Sequence, residues 1–329
     1  MTGWKGSLGI GAETTFGTYA PPTRFHEFNS ESLAKVKNTV QGGGIAAGRY
    51  GRLGSRRVLT TEGAAGSFAL EVANQKMGLL FSHALGSSAA PVQQGATTAY
   101  LQTHTVSDNV GKSLSIQKGV PDASGTVRPY TFKGCKITAI EFSCEVSGML
   151  QCSVEVDGRQ VSEVETLAAA SLPTGLAPFH FGQMSVKVGA SGSEQSVSGV
   201  RGMSLRIARP QNTERYYAGA NGLKAEQLSN DFPTVTGSFS TDFLDKTVFA
   251  DRYASDGSAS LVWEFIGPTI AGAFPQTFRV KVPLFFLNEG TPAVGGPDIV
   301  APSFGFEGQL DAAGNPLATI EYVTTDTTL

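Results

Sequence analysis

Two segments constrain this chain most, because they carry one pattern at two places. Residues 66–86 read GSFALEVANQKMGLLFSHALG and residues 237–257 read GSFSTDFLDKTVFADRYASDG. Gly-Ser-Phe opens both copies, and Gly86 and Gly257 close them at the same length. In the first copy Val72, Ala73, Met77, Leu80, Phe81 and Ala84 recur at three- and four-residue spacing, the stripe of an amphipathic helix. Phe243, Leu244, Val248, Phe249 and Tyr253 give a rougher version. Each closing glycine stands where a helix C-cap takes positive φ. The pattern predicts a short strand running into a helix, twice, with helices over 73–85 and 244–255.

More pairs follow in the same order. Ser32-Leu33 matches Ser204-Leu205, Ser113-Leu114 matches Ser260-Leu261, and Thr131-Phe132-Lys133 matches Thr277-Phe278-Arg279. The offset is 172 at the first pair, 171 at Gly-Ser-Phe, and 147 and 146 at the last two. The single drop falls in 87–110, a polar stretch expected to be a surface-loop insertion. The expectation is a tandem duplication: a first domain over 1–160, a linker over 161–178 and a second domain over 179–329. A chain of 329 residues is long enough for two cores. With only 16% charged residues and 40 glycines, it has the profile of a strand-rich protein with many tight turns.

The clearest alternation runs through residues 136–158. Ile140, Phe142, Cys144, Leu150, Cys152 and Val154 share an apolar face with Thr138, Val146 and Val156, while Glu141, Ser143, Glu145, Gln151, Ser153, Glu155 and Asp157 share a wet, acidic one with Ile137 and Ala139. Ser147-Gly148 turns one strand into the next. Two stretches read instead as arms. Residues 38–65 are rich in glycine and carry Arg49, Arg52, Arg56 and Arg57, and residues 210–234 carry Arg215 and Tyr216. Both are expected to be loose in a free subunit and ordered against a neighbour. Pro283 marks an edge or a bulge in its strand.

Chemistry finds little to hold. Gly111-Lys112-Ser113 lacks the glycine that a phosphate loop needs five residues earlier, where Val106 stands. His26, His83, His104 and His180 have no metal-ligand spacing to one another or to cysteine. The hairpin carboxylates share their face with Ser and Gln, as a solvated strand face does. Cys135, Cys144 and Cys152 read as reduced core thiols of a protein made in a reducing cytosol. A formal net charge of −3 gives no general pull toward nucleic acid or an anionic membrane. No run of 18 apolar residues predicts a membrane span, and the N-terminus lacks a signal peptide's apolar region. The arm arginines suit a protein–protein contact better than phosphate. No enzyme activity, cofactor or metal is expected.

The residues resemble the major tail tube proteins of long-tailed, siphovirus-type bacteriophages. The resemblance is carried by Gly9-Ile10-Gly11-Ala12-Glu13-Thr14-Thr15-Phe16-Gly17-Thr18 with Pro21-Pro22, by Phe28 and Glu31-Ser32-Leu33, and by Gly66-Ser67-Phe68 with its helix to Gly86. Thr131-Phe132-Lys133-Gly134-Cys135 and the Glu141–Gly158 hairpin complete it, so it covers the first half directly and the second through the repeat. It implies a mainly β fold of two tandem tail-tube-type β-sandwich domains, each flanked by one short helix, that assemble into a closed multi-chain β-barrel ring. It also implies a virion protein, synthesised in the bacterial host cytoplasm, that polymerises with itself as stacked rings. Its partners would be tape measure, tail terminator and distal tail proteins, with DNA passing through without specific binding. Three duplicated chains would complete a pseudo-sixfold ring. About four inner strands per domain give ~24, and at ~4.8 Å spacing and ~45° tilt a backbone diameter on the order of 50 Å.

Within that resemblance Glu141, Ser143, Glu145, Gln151, Ser153, Glu155 and Asp157 are expected to line the bore, because cationic contacts to phosphate would retain DNA. Arg279 and Lys281, near the equivalent place in the second copy, count against a uniformly acidic wall. Arg49, Arg52, Arg56, Arg57, Arg215 and Tyr216 are expected to stack one ring on the next. A virion decoration or carbohydrate-binding β-sandwich protein is the alternative.

Overall fold

The computed structural model describes residues 3–244, 246–297 and 299–329. In the first half it forms β1 (Ser7–Glu13), β2 (Arg24–His26), β3 (Ser30–Glu31), β4 (Ala34–Gln41), β5 (Arg57–Glu71), α1 (Gly78–Leu85), β6 (Gly86–Ser88), β7 (Val92–Gln93) and β8 (Tyr100–Val106). There follow β9 (Ser113–Pro121), β10 (Val127–Glu145), β11 (Gln151–Gly158) and β12 (Gln160–Ser162). The second half forms β13 (Met184–Gly189), β14 (Gln195–Ser196), β15 (Val200–Ala208), β16 (Gln211–Asn212), β17 (Leu228–Ser229), β18 (Thr234–Thr241) and α2 (Ala250–Ala254). It ends with β19 (Ala259–Ala271), β20 (Phe274–Leu287), β21 (Ser303–Gly308) and β22 (Thr319–Thr324).

These strands pair antiparallel in two layers, and the order of pairing repeats. One layer runs β1–β9–β10–β12 in the first half and β13–β19–β20–β22 in the second. The other runs from β3 and β4 through β5–β11–β10, and then β15–β18–β21–β20. The long strands β10 and β20 belong to both layers, so each must bend where it changes partners. In β10 the bend follows Gly134, which takes φ +63; a Cβ there would strike Arg159 and Phe16. In β20 it comes at Pro283, between Val282 opposite Leu261 and Phe285 opposite Gly308. A proline cannot donate to the ladder and fits where the ladder is changing hands. The bulge expected at Pro283 is therefore present.

The second layer crosses from one half to the other without a break. Ala139–Glu145 of β10 lie opposite Gly202–Ala208 of β15. The buried apolar side chains of both halves form one cluster. A β-bulge between Ile137 and Ala139 corrects the expected alternation: Thr138 takes the extra place, and Ile137 turns inward opposite Val156.

Both helices are shorter than their repeats predict. α1 starts at Gly78 and not at 73, because Lys76 takes φ +69 and Ala73 is drawn into a β-bridge with Pro178. Gly86 closes it at φ +94, as expected. α2 spans only Ala250–Ala254, and the positive φ beyond it falls on Asp256, not on Gly257. Asp245, inside the predicted 244–255 helix, lies outside the described residues.

The stretch 87–110 also departs from expectation, since it is not a surface insertion. Its strand β8 pairs along the whole of β22, and Gln102 and His104 are fully buried there. The first half thereby lays a helix and a strand on the second half's sheet. His104 Nδ1 lies 2.6 Å from Ser88 Oγ, and burial, with Lys112 nearby, lowers its pKa from 6.5 to about 3. Burial and Arg24 lower His26 to about 4. Unfolded histidine takes up a proton near pH 6.5, and these folded ones do so only far lower. Their contribution is therefore complete above about pH 6.5 and lost as pH falls toward 4. Denaturant titrations are expected to show stability dropping through that window, with a shallower slope in His104→Gln.

Candidate assembly surfaces

The polar face of the second layer is built by alternation. Ile140, Phe142, Cys144, Leu150, Cys152 and Val154 are buried, which leaves Glu141, Ser143, Glu145, Gln151, Ser153 and Glu155 on the opposite, solvent-reached side. Register carries this face across the joint. Glu141 is followed by Arg206, Thr236 and Glu307; Ser143 by Ser204, Ser238 and Gly305; Glu145 by Gly202, Ser240 and Ser303. On the other side Gln151 lies opposite Glu71. Arg206 grips Glu155 through both terminal nitrogens at 2.9 Å and reaches Glu141 at 3.3 Å. These rows hold Glu71, Glu141, Glu145, Glu155 and Glu307 against the one cation Arg206, so the face is acidic overall.

Asp157 does not join it. Although it has the parity of the wet face, it is only 7% exposed and is covered by Lys224, whose ammonium lies 2.6 Å away, and by Gln227 at 2.7 Å. Burial pushes its carboxyl pKa up, with the Lys224 and Gln227 hydrogen bonds pulling the other way. Arg279 and Lys281 are also elsewhere. They lie on the portion of β20 paired with β19 and β22, where Arg279 bonds Glu264 at 2.8 Å and Glu321 at 2.7 Å, and Lys281 pairs with Glu321. They are therefore not part of this acidic face.

This layer has an open end on each side. β3 and β4 pair only with β5 among the described strands, and at the far end the strand pairing of β20 stops at Leu287. Beyond its first residues β4 runs with β5 as a two-stranded ribbon that stands away from the core, all of Ala34–Val40 being exposed. Ile45 and Tyr50 are fully exposed near its tip, and Arg49, Arg52, Arg56 and Arg57 are exposed with them. Exposed apolar groups beside guanidinium groups are a composition enriched at protein–protein interfaces.

A model of the phage tail tube protein family matches residues 3–308. The chain belongs to that family. Tail tube proteins are non-enzymatic, polymerise with themselves and reside in the virion tail, so this chain is a structural subunit of a phage tail tube. No curated protein matches it. Among the described residues no helix is long and apolar enough to cross a membrane.

For a tube subunit, the segment 210–234 is the largest correction. The sequence predicts a second free arm there, with Arg215 and Tyr216 reaching another ring. It lies instead against its own first half. Lys224 and Gln227 are buried on Asp157, Glu226 pairs with the buried Lys136, and Leu223 bridges to Glu62 at the root of the ribbon. The Arg215 guanidinium bonds the Glu226 carbonyl and lies over Tyr217, and Tyr216 lies beneath Lys224. Sequence reasoning missed Lys224, Gln227 and Arg206, whose partners are all remote in the chain. The three cysteines are buried and free, and burial raises their thiol pKa values, Cys144 to about 11.

Proposed function

We propose that this subunit builds the tube of a long-tailed, siphovirus-type phage as stacked rings of three chains. Each chain supplies two tandem tube domains, and the ring is pseudo-sixfold. The observation that carries this reading is the second layer, continuous through both halves and open at both ends. It offers eight strand positions, counting β3 and β4 as one, then β5, β11, β10, β15, β18, β21 and β20. Three chains joined end to end would supply ~24 strands, the number that encloses a bore wide enough for duplex DNA. The repeated pairing order supports the duplication, with the boundaries 1–160 and 179–329 qualified by the shared core. The joint between β10 and β15 is then the pattern for the joint between chains.

The face carrying Glu141, Ser143, Glu145, Gln151, Ser153 and Glu155 lines the bore and repels phosphate. The ribbon with Arg49, Arg52, Arg56 and Arg57 reaches the next ring. Tape measure, terminator and distal tail proteins meet the tube at its interior and ends. The decoration or carbohydrate-binding reading gains no support from the tryptophans, since Trp263 is buried and Trp4, 77% exposed, lies near the start of the described chain. Negative-stain microscopy of the purified protein tests the proposal. Hollow tubes of uniform width are expected, whereas solid fibres or persistently single subunits would defeat it.

A further inference from the structure

The open edge at β3 is not bare, and what fills it bears on assembly. Ser32 donates its N–H to the Ser67 carbonyl of β5, so by antiparallel alternation the N–H and C=O of Leu33 point the other way, to the free edge. Both are occupied. Glu31 Oε2 accepts from the Leu33 N–H at 2.9 Å, and Lys118 Nζ donates to the Leu33 carbonyl at 2.8 Å. The two side chains are joined to each other at 2.8 and 2.9 Å, and the Lys118 ammonium rests over the Phe132 ring. One ion pair from two different strands thus takes the donor and the acceptor that an added strand would use.

The other half shows what belongs there. Leu205 holds the place of Leu33 in the repeat. The hydroxyls of Ser204 and Ser238 meet at 3.0 Å, as those of Ser32 and Ser67 do at 3.1 Å. At Leu205 no ion pair is needed, because Phe142 of β10 lies opposite it. The strand fitting Leu33 in the same way is the continuation of β20 from a second copy. Asn288 still donates to the Gly305 carbonyl, after which Glu289, Thr291 and Ala293 are exposed. Residues 289–293 are not a strand in the free subunit; drawn into one that continues β20, they would alternate so that the N–H groups of Glu289, Thr291 and Ala293 face outward and Pro292, which has none, faces β21.

We propose that the Glu31–Lys118 pair is an edge guard: it satisfies Leu33 in the free subunit and is displaced when residues 289–293 of a second copy pair there. The proposal deepens the ring reading and rests on it. Charged groups directed at an exposed edge keep strands from pairing out of turn. A guard of this kind sets the concentration at which subunits begin to join and does not alter the finished tube.

Glu31→Ala with Lys118→Met opens both backbone groups. Sedimentation and light scattering are expected to show assembly beginning at about two- to tenfold lower concentration than in the wild type, the equivalent of one net hydrogen bond released. Lys118→Arg, which keeps the cation, stays near the wild-type threshold. Should the double variant not fold, Glu31→Gln gives the same shift in smaller measure. A folded double variant, or a folded Glu31→Gln, that assembles at the wild-type concentration or above overturns the guard. If the wild type itself forms no tubes, the ring reading fails and the guard with it. If it forms tubes without a shifted threshold in the variants, only the guard fails.

Discussion

Phe81→Ala is expected to destabilise the subunit by about 3–5 kcal/mol, among the largest effects of any single truncation in this chain. Phe81 is fully buried on α1 and touches four rings from four strands: His104 of β8, Phe142 of β10, Phe278 of β20 and Tyr322 of β22. Centroid distances of 5.6–6.0 Å, with three of the four pairs edge-on, are those of favourable aromatic pairs. Since these rings come from both halves, the cavity left by alanine would loosen one half from the other as well as unpacking a helix. Urea unfolding would report the loss. A change of less than about 1 kcal/mol would mean that α1 is not what joins the halves.

Changing Arg49, Arg52, Arg56 and Arg57 together to serine is expected to act in the opposite way, leaving stability within about 1 kcal/mol of the wild type and abolishing polymerisation. All four are exposed on a ribbon that contributes nothing to the buried cluster. Their removal therefore costs little folding energy. Each lost guanidinium could have paired with a carboxylate of the next ring, and several such pairs share one small contact. Circular dichroism would confirm the fold, and microscopy would show single subunits or isolated rings. Tubes of normal length from this variant would show that the cations are dispensable.

What was legible in the sequence was local. The 136–158 hairpin declared both faces because strand alternation needs no knowledge of the rest of the chain. Gly86 declared the end of α1 because a left-handed cap favours glycine over every other residue. What escaped depended on remote partners. Asp157 has the parity of the wet face, and only Lys224, 67 residues away, turns it into a buried ion pair. The 87–110 stretch looked like a loop because its polar residues gave no stripe. Gln102 is nonetheless buried, with its amide directed at the Asp326 and Thr328 carbonyls more than 220 residues on. Arg206 gave no signal at all, since its role beside Glu141 and Glu155 exists only once β10 and β15 are in register. The Thr138 bulge shows the same limit on a smaller scale, one extra residue having reversed the faces of its neighbours.

Electron cryo-microscopy of the assembled tube, at a resolution that follows side chains, tests the central claim most directly. The account predicts three chains per ring, a single closed sheet of ~24 strands in which β10–β15 joints alternate with joints between chains, and Glu141, Glu145 and Glu155 directed at the central axis. Six chains per ring, or those carboxylates facing outward or into a subunit interface, would contradict it.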